Sequence, residues 1–91
     1  MMSKFLVERN LPGITPEQLQ AAGVRAKTCC EEMASEGTEI TWHRSFFLPE
    51  SEKTFCVFEA PDQSLVEEAN RRAQIPFERI HASLELTPDA I

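Results

Sequence analysis

The stretch KTFCVFEAPDQSLVEEANRRA, residues 53–73, decides the fold, because it runs a strand directly into a helix. From Lys53 to Ala60 the side chains alternate, Phe55 and Val57 on one face and Cys56 and Phe58 on the other, as a period-two strand requires. Asp62, just after Pro61, supplies a side-chain oxygen to cap the N–H groups that a helix leaves unpaired at its start. Over residues 63–73, Leu65, Val66, Ala69 and Ala73 turn inward while Glu67, Glu68, Arg71 and Arg72 turn outward, and Pro76 ends the segment.

Working outward, Pro49-Glu50-Ser51-Glu52 is a polar, proline-bearing turn that joins this strand to an earlier one over residues 38–48. Strict alternation there puts Ile40, Trp42, Arg44 and Phe46 on one face and Thr41, His43, Ser45 and Phe47 on the other. Before it, Thr15-Pro16-Glu17-Gln18 reads as a capping box with proline at the first helical position. Leu19, Ala22, Ala26, Cys29 and Met33 then mark one buried stripe up to a stop near Gly37. Residues 4–9 form a first strand, with Phe5 and Val7 opposed to Leu6 and Glu8, and residues 79–86 a last one, with Ile80, Ala82 and Leu84 opposed to Arg79, His81 and Ser83. Strand, helix, strand, strand, helix, strand is the order of the split βαβ unit, with both crossovers long enough to join parallel neighbours. The expectation is α+β: a ferredoxin-like, four-stranded antiparallel sheet with two helices on one face. Residues 1–91 make one domain, its core running from 4 to 86 and its tail from 87 to 91.

A chain of 91 residues, 42 % hydrophobic and 26 % charged, has the composition of a globular domain. A domain this small buries only roughly 60–65 % of the surface its unfolded chain exposes, so a homodimer covering the free sheet face is expected. The net charge of −6, with scattered basic residues, argues against nucleic acid and against an anionic membrane surface. Met1-Met2-Ser3-Lys4-Phe5 lacks the apolar run of a signal peptide, and no stretch reaches the ~20 apolar residues that span a bilayer, so a cytoplasmic protein with reduced thiols is expected. With three glycines, no phosphate-binding loop, nucleophile elbow or HExxH motif, the chain calls for no nucleotide or organic cofactor and offers no assignable catalytic residue.

With both helices on one side, Phe5, Val7, Phe55, Val57 and Ile80 suit the helix side. That leaves Leu6, Glu8, Trp42, Arg44, Phe46, Cys56, Phe58 and His81 on the open side, where a second subunit would enclose them in an intersheet cavity as a dimeric α/β barrel. Each has an ordinary structural use: Glu8 with Arg44 as an ion pair, Cys56 as a small core hydrophobe, His81 as a surface side chain. Together, thiolate, imidazole and carboxylate are donors for a divalent transition metal such as nickel, copper or zinc. Cys29-Cys30 is a poor chelate, since adjacent helical side chains diverge by about 100°.

Phe5-Leu6-Val7-Glu8-Arg9, Leu11-Pro12-Gly13, Thr15-Pro16-Glu17-Gln18-Leu19, Trp42-His43-Arg44-Ser45-Phe46, Lys53 to Pro61 and Ile75-Pro76 occur in an order that resembles a bacterial domain-of-unknown-function family of small ferredoxin-like proteins with a nickel-binding member. The resemblance spans residues 4–86 and implies a homodimer and a nickel-related role. In that family the second residue after the tryptophan is a variable polar one, often histidine. Here Arg44 stands there and cannot ligate a metal, while His43, one place earlier, is expected on the opposite face.

The leading expectation is therefore a small homodimeric protein that binds a divalent ion, Ni²⁺ for preference, through Cys56, His81 and Glu8, with Glu8, Arg44, Trp42, Phe46 and Phe58 lining a ligand cavity. The alternatives are a cofactor-independent dimeric α/β-barrel enzyme, in which Arg44 holds a small organic anion and Glu8 or His81 moves a proton, or an interaction module whose sheet face is only a dimer seam.

Overall fold

A computed structural model describes residues 1–91 as β1 (Ser3–Asn10), α1 (Pro16–Ser35), β2 (Thr41–Leu48), β3 (Lys53–Ala60), α2 (Gln63–Ala73) and β4 (Arg79–Ser83), followed by a 3-10 turn at Pro88–Ala90. The strands lie in the order β2-β3-β1-β4, every neighbouring pair antiparallel. The crossovers do not join neighbours as the sequence suggested. Strands β1 and β2 flank β3, and β3 and β4 flank β1, so each parallel pair is separated by the strand between. This is the ferredoxin-like α+β arrangement, with both helices on one face. No helix is long and apolar enough to cross a membrane.

The helix ends form where the sequence supplies caps. Thr15 Oγ1 accepts from Gln18 N at 3.1 Å and the Gln18 side chain accepts from Thr15 N at 3.0 Å, so two otherwise unpaired amides are satisfied. At the other end of α1, Gly37 takes φ +92°, and Gly37 N and Thr38 N donate back to Ala34 O and Met33 O, a Schellman closure that needs a residue free of a Cβ. Asp62 caps α2 through Ser64 N, and Gln74 ends it at φ +57°. The two helices are tied across their exposed sides by Arg72, which bonds Glu68 on its own helix and Glu32 and Glu36 at the end of α1.

Between helices and sheet lies one main core: Phe5 and Val7 of β1, Cys56, Phe58 and Ala60 of β3, Cys30 and Met33 of α1, and Val66 and Ala69 of α2. Each such Val, Phe or Met contributes roughly 1.5–3 kcal/mol on burial. The stripe of α1 is rotated slightly from expectation: Cys30 is buried and Cys29 only half-buried, packed against Ala73 and Ile75. Asn70 faces inward on α2, a polar residue within an apolar stripe.

The faces of β3 are the reverse of those expected. Val7 lies opposite Cys56 and Phe5 opposite Phe58, and directly opposed residues share a face. Cys56 and Phe58 therefore sit beneath the helices, while Phe55 and Val57 point to the open side. Because β3 is apolar on both faces, its alternation alone carries no signal of which face is covered. In β2 the register slips by one residue: Trp42 pairs with Phe58, yet Arg44 pairs with Val57, leaving His43 as the extra residue of a bulge. Trp42, Ser45 and Phe47 thus lie on the helix side, and Arg44, Phe46 and Leu48 on the open side. Strand β4 ends at Ser83, three residues short of the expected end, with Ile80 opposite Val7 and His81 opposite Leu6.

Candidate functional site

The open face of the sheet carries Leu6 and Glu8 at its centre on β1, flanked by Phe55 and Val57 of β3 and by Arg79 and His81 of β4. Glu8 is opposite Phe55 on one side and Arg79 on the other, so its carboxylate emerges from an apolar surface within reach of cations on both neighbours. His81 Nε2 lies 2.8 Å from Glu8 Oε1, and Lys53 Nζ lies 2.9 Å from Oε2. Arg79 Nε stands further off at 3.9 Å. Lys53 also donates to Asn10 Oδ1 at 2.8 Å, which fixes it above β1.

This environment keeps Glu8 ionised. The hydrogen bond from His81, then that from Lys53, holds its carboxyl down to about 2, against burial that pushes the other way, with the charges of Lys53 and Arg79 assisting. Lys53 is raised in return, chiefly by its hydrogen bond to Glu8. With Glu8 charged, His81 Nε2 is the donor in this contact, and in the neutral imidazole Nδ1 is then the nitrogen with the free lone pair. A second pair of the same kind stands at the edge of the face, His43 Nε2 with Glu59 Oε1 at 2.7 Å. His43 follows Trp42, which lies on the helix side, and so turns to the open face; the bulge then keeps Arg44 on that face beside it.

The expected site residues divide between the two faces. Glu8 and His81 meet as expected, and Arg44 and Phe46 share their face, but Arg44 makes no ion pair with Glu8, whose partners are Lys53, Arg79 and His81. Cys56 lies on the other side of the sheet, 6 % exposed beneath the helices, so Cys56, His81 and Glu8 do not form one ligand set. No group of three or more His, Cys, Asp or Glu side chains within the chain is arranged to hold a metal ion. Trp42 and Phe58 also lie on the helix side, where they line a cavity of about 510 Å³ under α1 with Cys56, Thr54 and Arg9.

Two functional features escaped the sequence reading. Lys53 opens its strand and its reach to Glu8 depends on the β1–β3 register, which no local pattern announces. Arg9 had a signal: it continues the alternation of Phe5 and Val7 on the buried side, and is 3 % exposed.

No curated protein matches the chain in sequence. Among solved structures, the crystal structure of SCO4226 from Streptomyces coelicolor A3(2) superposes with a TM-score of 0.76 over 93 % of this chain and 100 % of that one, at 20 % identity, a likeness that establishes the fold. The profile described as nickel responsive protein SCO4226-like matches residues 5–82, which contain the whole sheet and both helices apart from the first two residues of β1 and the last residue of β4. The chain belongs to the SCO4226-like family of nickel-responsive proteins.

Proposed function

We propose that this protein binds Ni²⁺ on the open face of its sheet as a cytoplasmic homodimer, with His81 presenting Nδ1 to the ion and Glu8 fixing the imidazole from behind. The observation that carries the reading is the 2.8 Å contact between His81 Nε2 and Glu8 Oε1. Histidines that ligate metals characteristically donate their other ring N–H to a carboxylate, which sets the tautomer and strengthens the ligand. Membership of a family described as nickel-responsive supports the choice of ion, and imidazole nitrogen suits nickel.

One chain supplies too few donors, so the remaining ligands come from a second copy or from water. The same face favours a second copy. Leu6, Phe55 and Val57 form an apolar centre with no layer over it, and Phe46 is 57 % exposed beside them. Two such faces packed together would form the dimeric α/β barrel and bring two His81–Glu8 pairs into one cavity.

Titration calorimetry with NiCl₂ on tag-free protein tests this directly. The parent should bind saturably, more weakly as pH falls because the ligating imidazole must be neutral. His81→Ala should abolish the binding, and Glu8→Gln should weaken it by roughly 10–100-fold. Binding undiminished in His81→Ala sinks the proposal, and loss in His43→Ala instead would move the ion to the edge of β2.

A further inference from the structure

The cavity beneath α1 carries an inference independent of nickel. It exists because the stripe of α1 changes size along its length. Ala22, Gly23 and Ala26 face the sheet over the first turns and line the cavity, whereas Cys30 and Met33 fill the corresponding space further on. A Cβ at Gly23 would already stand 3.4 Å from the Trp42 ring. The result is a space of about 510 Å³, within the range of small-molecule sites, with a predominantly apolar lining that includes Leu19, Trp42 and Phe58.

Of the polar residues that line it, Gln20, Lys27 and Ser45 are exposed, and the two buried ones lie together. Arg9 and Thr54 are directly opposite across β1 and β3, and both line the cavity. Arg9 is 3 % exposed and pairs with no carboxylate: its two hydrogen bonds go to neutral oxygens, Nη1 to Pro76 O at 3.2 Å and Nη2 to Asn70 Oδ1 at 2.5 Å. A guanidinium has five N–H groups, so donors remain. Thr54 is 2 % exposed and its Oγ1 has no hydrogen-bond partner. A buried cation without an anion and a buried hydroxyl without a partner are each unfavourable, and here they share one wall of an apolar space.

We propose that this cavity binds a small apolar monocarboxylate, such as a medium-chain fatty acid. The carboxylate accepts from the free N–H groups of Arg9 and from the Thr54 hydroxyl, and the hydrocarbon body lies along Trp42 and Phe58. One ligand group thereby satisfies both polar residues, which neither a hydrocarbon nor an amine would do.

Trp42 is the sole tryptophan and reports on the cavity. Octanoate should change its fluorescence saturably and raise Tm in buffer containing a chelator, equally in His81→Ala, while octylamine should do neither. Thr54→Val, which keeps the shape and removes the hydroxyl, should raise the Tm of the free protein and weaken octanoate by about tenfold or more. Arg9→Met should erase the preference for octanoate over 1-octanol; if that variant fails to fold, Thr54→Val still decides. No saturable change at Trp42, equal binding of octanoate and 1-octanol by the parent, or unaltered octanoate affinity in Thr54→Val overturns the proposal.

Discussion

His81 Nε2 and Glu8 Oε1 stand 2.8 Å apart although the two residues are diagonal in the register: Glu8 is paired with Arg79 and His81 with Leu6. The contact therefore comes from side chains leaning along the sheet, and Lys53 on the other flank draws the second oxygen the opposite way. A carboxylate gripped from both sides at the middle of an apolar face gives that face a fixed direction and a fixed charge.

That grip makes stability depend on acid. The Glu8 carboxyl lies near 2 in the folded chain against 4.5 for the free group, so below about pH 4.5 the unfolded chain takes up this proton before the folded one does. The contribution of Glu8 is complete above about pH 4.5 and is lost as pH falls towards about 2. Urea midpoints measured across that window should drop less steeply in Glu8→Gln than in the parent. Parallel slopes would mean that His81 and Lys53 do not hold the carboxylate in solution.

The open face makes a separate prediction about assembly. Val57 lies half-buried beside Leu6, and Phe46 and Leu48 are exposed at the neighbouring edge strand. A charge placed at Val57 would be trapped between two packed sheets, but would meet only water in a monomer. If two chains pair through this face as proposed, Val57→Lys should sediment as a folded monomer where the parent sediments as a dimer, with an unchanged circular dichroism spectrum. A dimer that survives this substitution would place the interface elsewhere, the exposed Leu84, Leu86 and Ile91 beyond β4 being the next apolar surface.

The order of elements and nearly all their boundaries could be read from caps and periodicity, because Thr15, Asp62 and Gly37 act locally. The faces of β2 and β3 could not. Strand β3 offers Phe55 and Val57 to one side and Cys56 and Phe58 to the other, and only its pairing with β1 decides between them. In β2 the bulge at His43 reverses the alternation partway, a two-against-one pairing that has no signature in Trp42-His43-Arg44 alone. Glu8 and His81 were expected on one face and meet there, although residues 80–86 read sensibly in either parity and only the pairing of β4 with β1 fixes the side of His81. The exclusion of Cys56 from that meeting depended on the strand whose parity was ambiguous.

The three thiols should differ in reactivity. Burial pushes Cys30 up to about 11, and Cys29 is raised as well, again chiefly by burial, yet Cys29 remains half-exposed. Cys56 is buried against the sheet at the cavity wall. Thiolate and access together govern alkylation, so native protein treated with a maleimide should label at Cys29 first, with Cys30 and Cys56 reacting only on unfolding. Early labelling of Cys56, read by peptide mass spectrometry, would reveal that the cavity opens to reagents, and octanoate should then protect it.

The two ends of α1 should differ in what they contribute. Its start is held by the Thr15–Gln18 capping box, over a cavity, while its end is held by Met33, 2 % exposed in the main core. Thr15→Ala removes one side-chain acceptor and should cost about 1 kcal/mol. Met33→Ala removes buried atoms from a packed region and should cost roughly 2–5 kcal/mol. Denaturant unfolding of the two variants measures the difference. A Thr15→Ala cost equal to that of Met33→Ala would mean that the capping box holds the start of α1 as firmly as core packing holds its end.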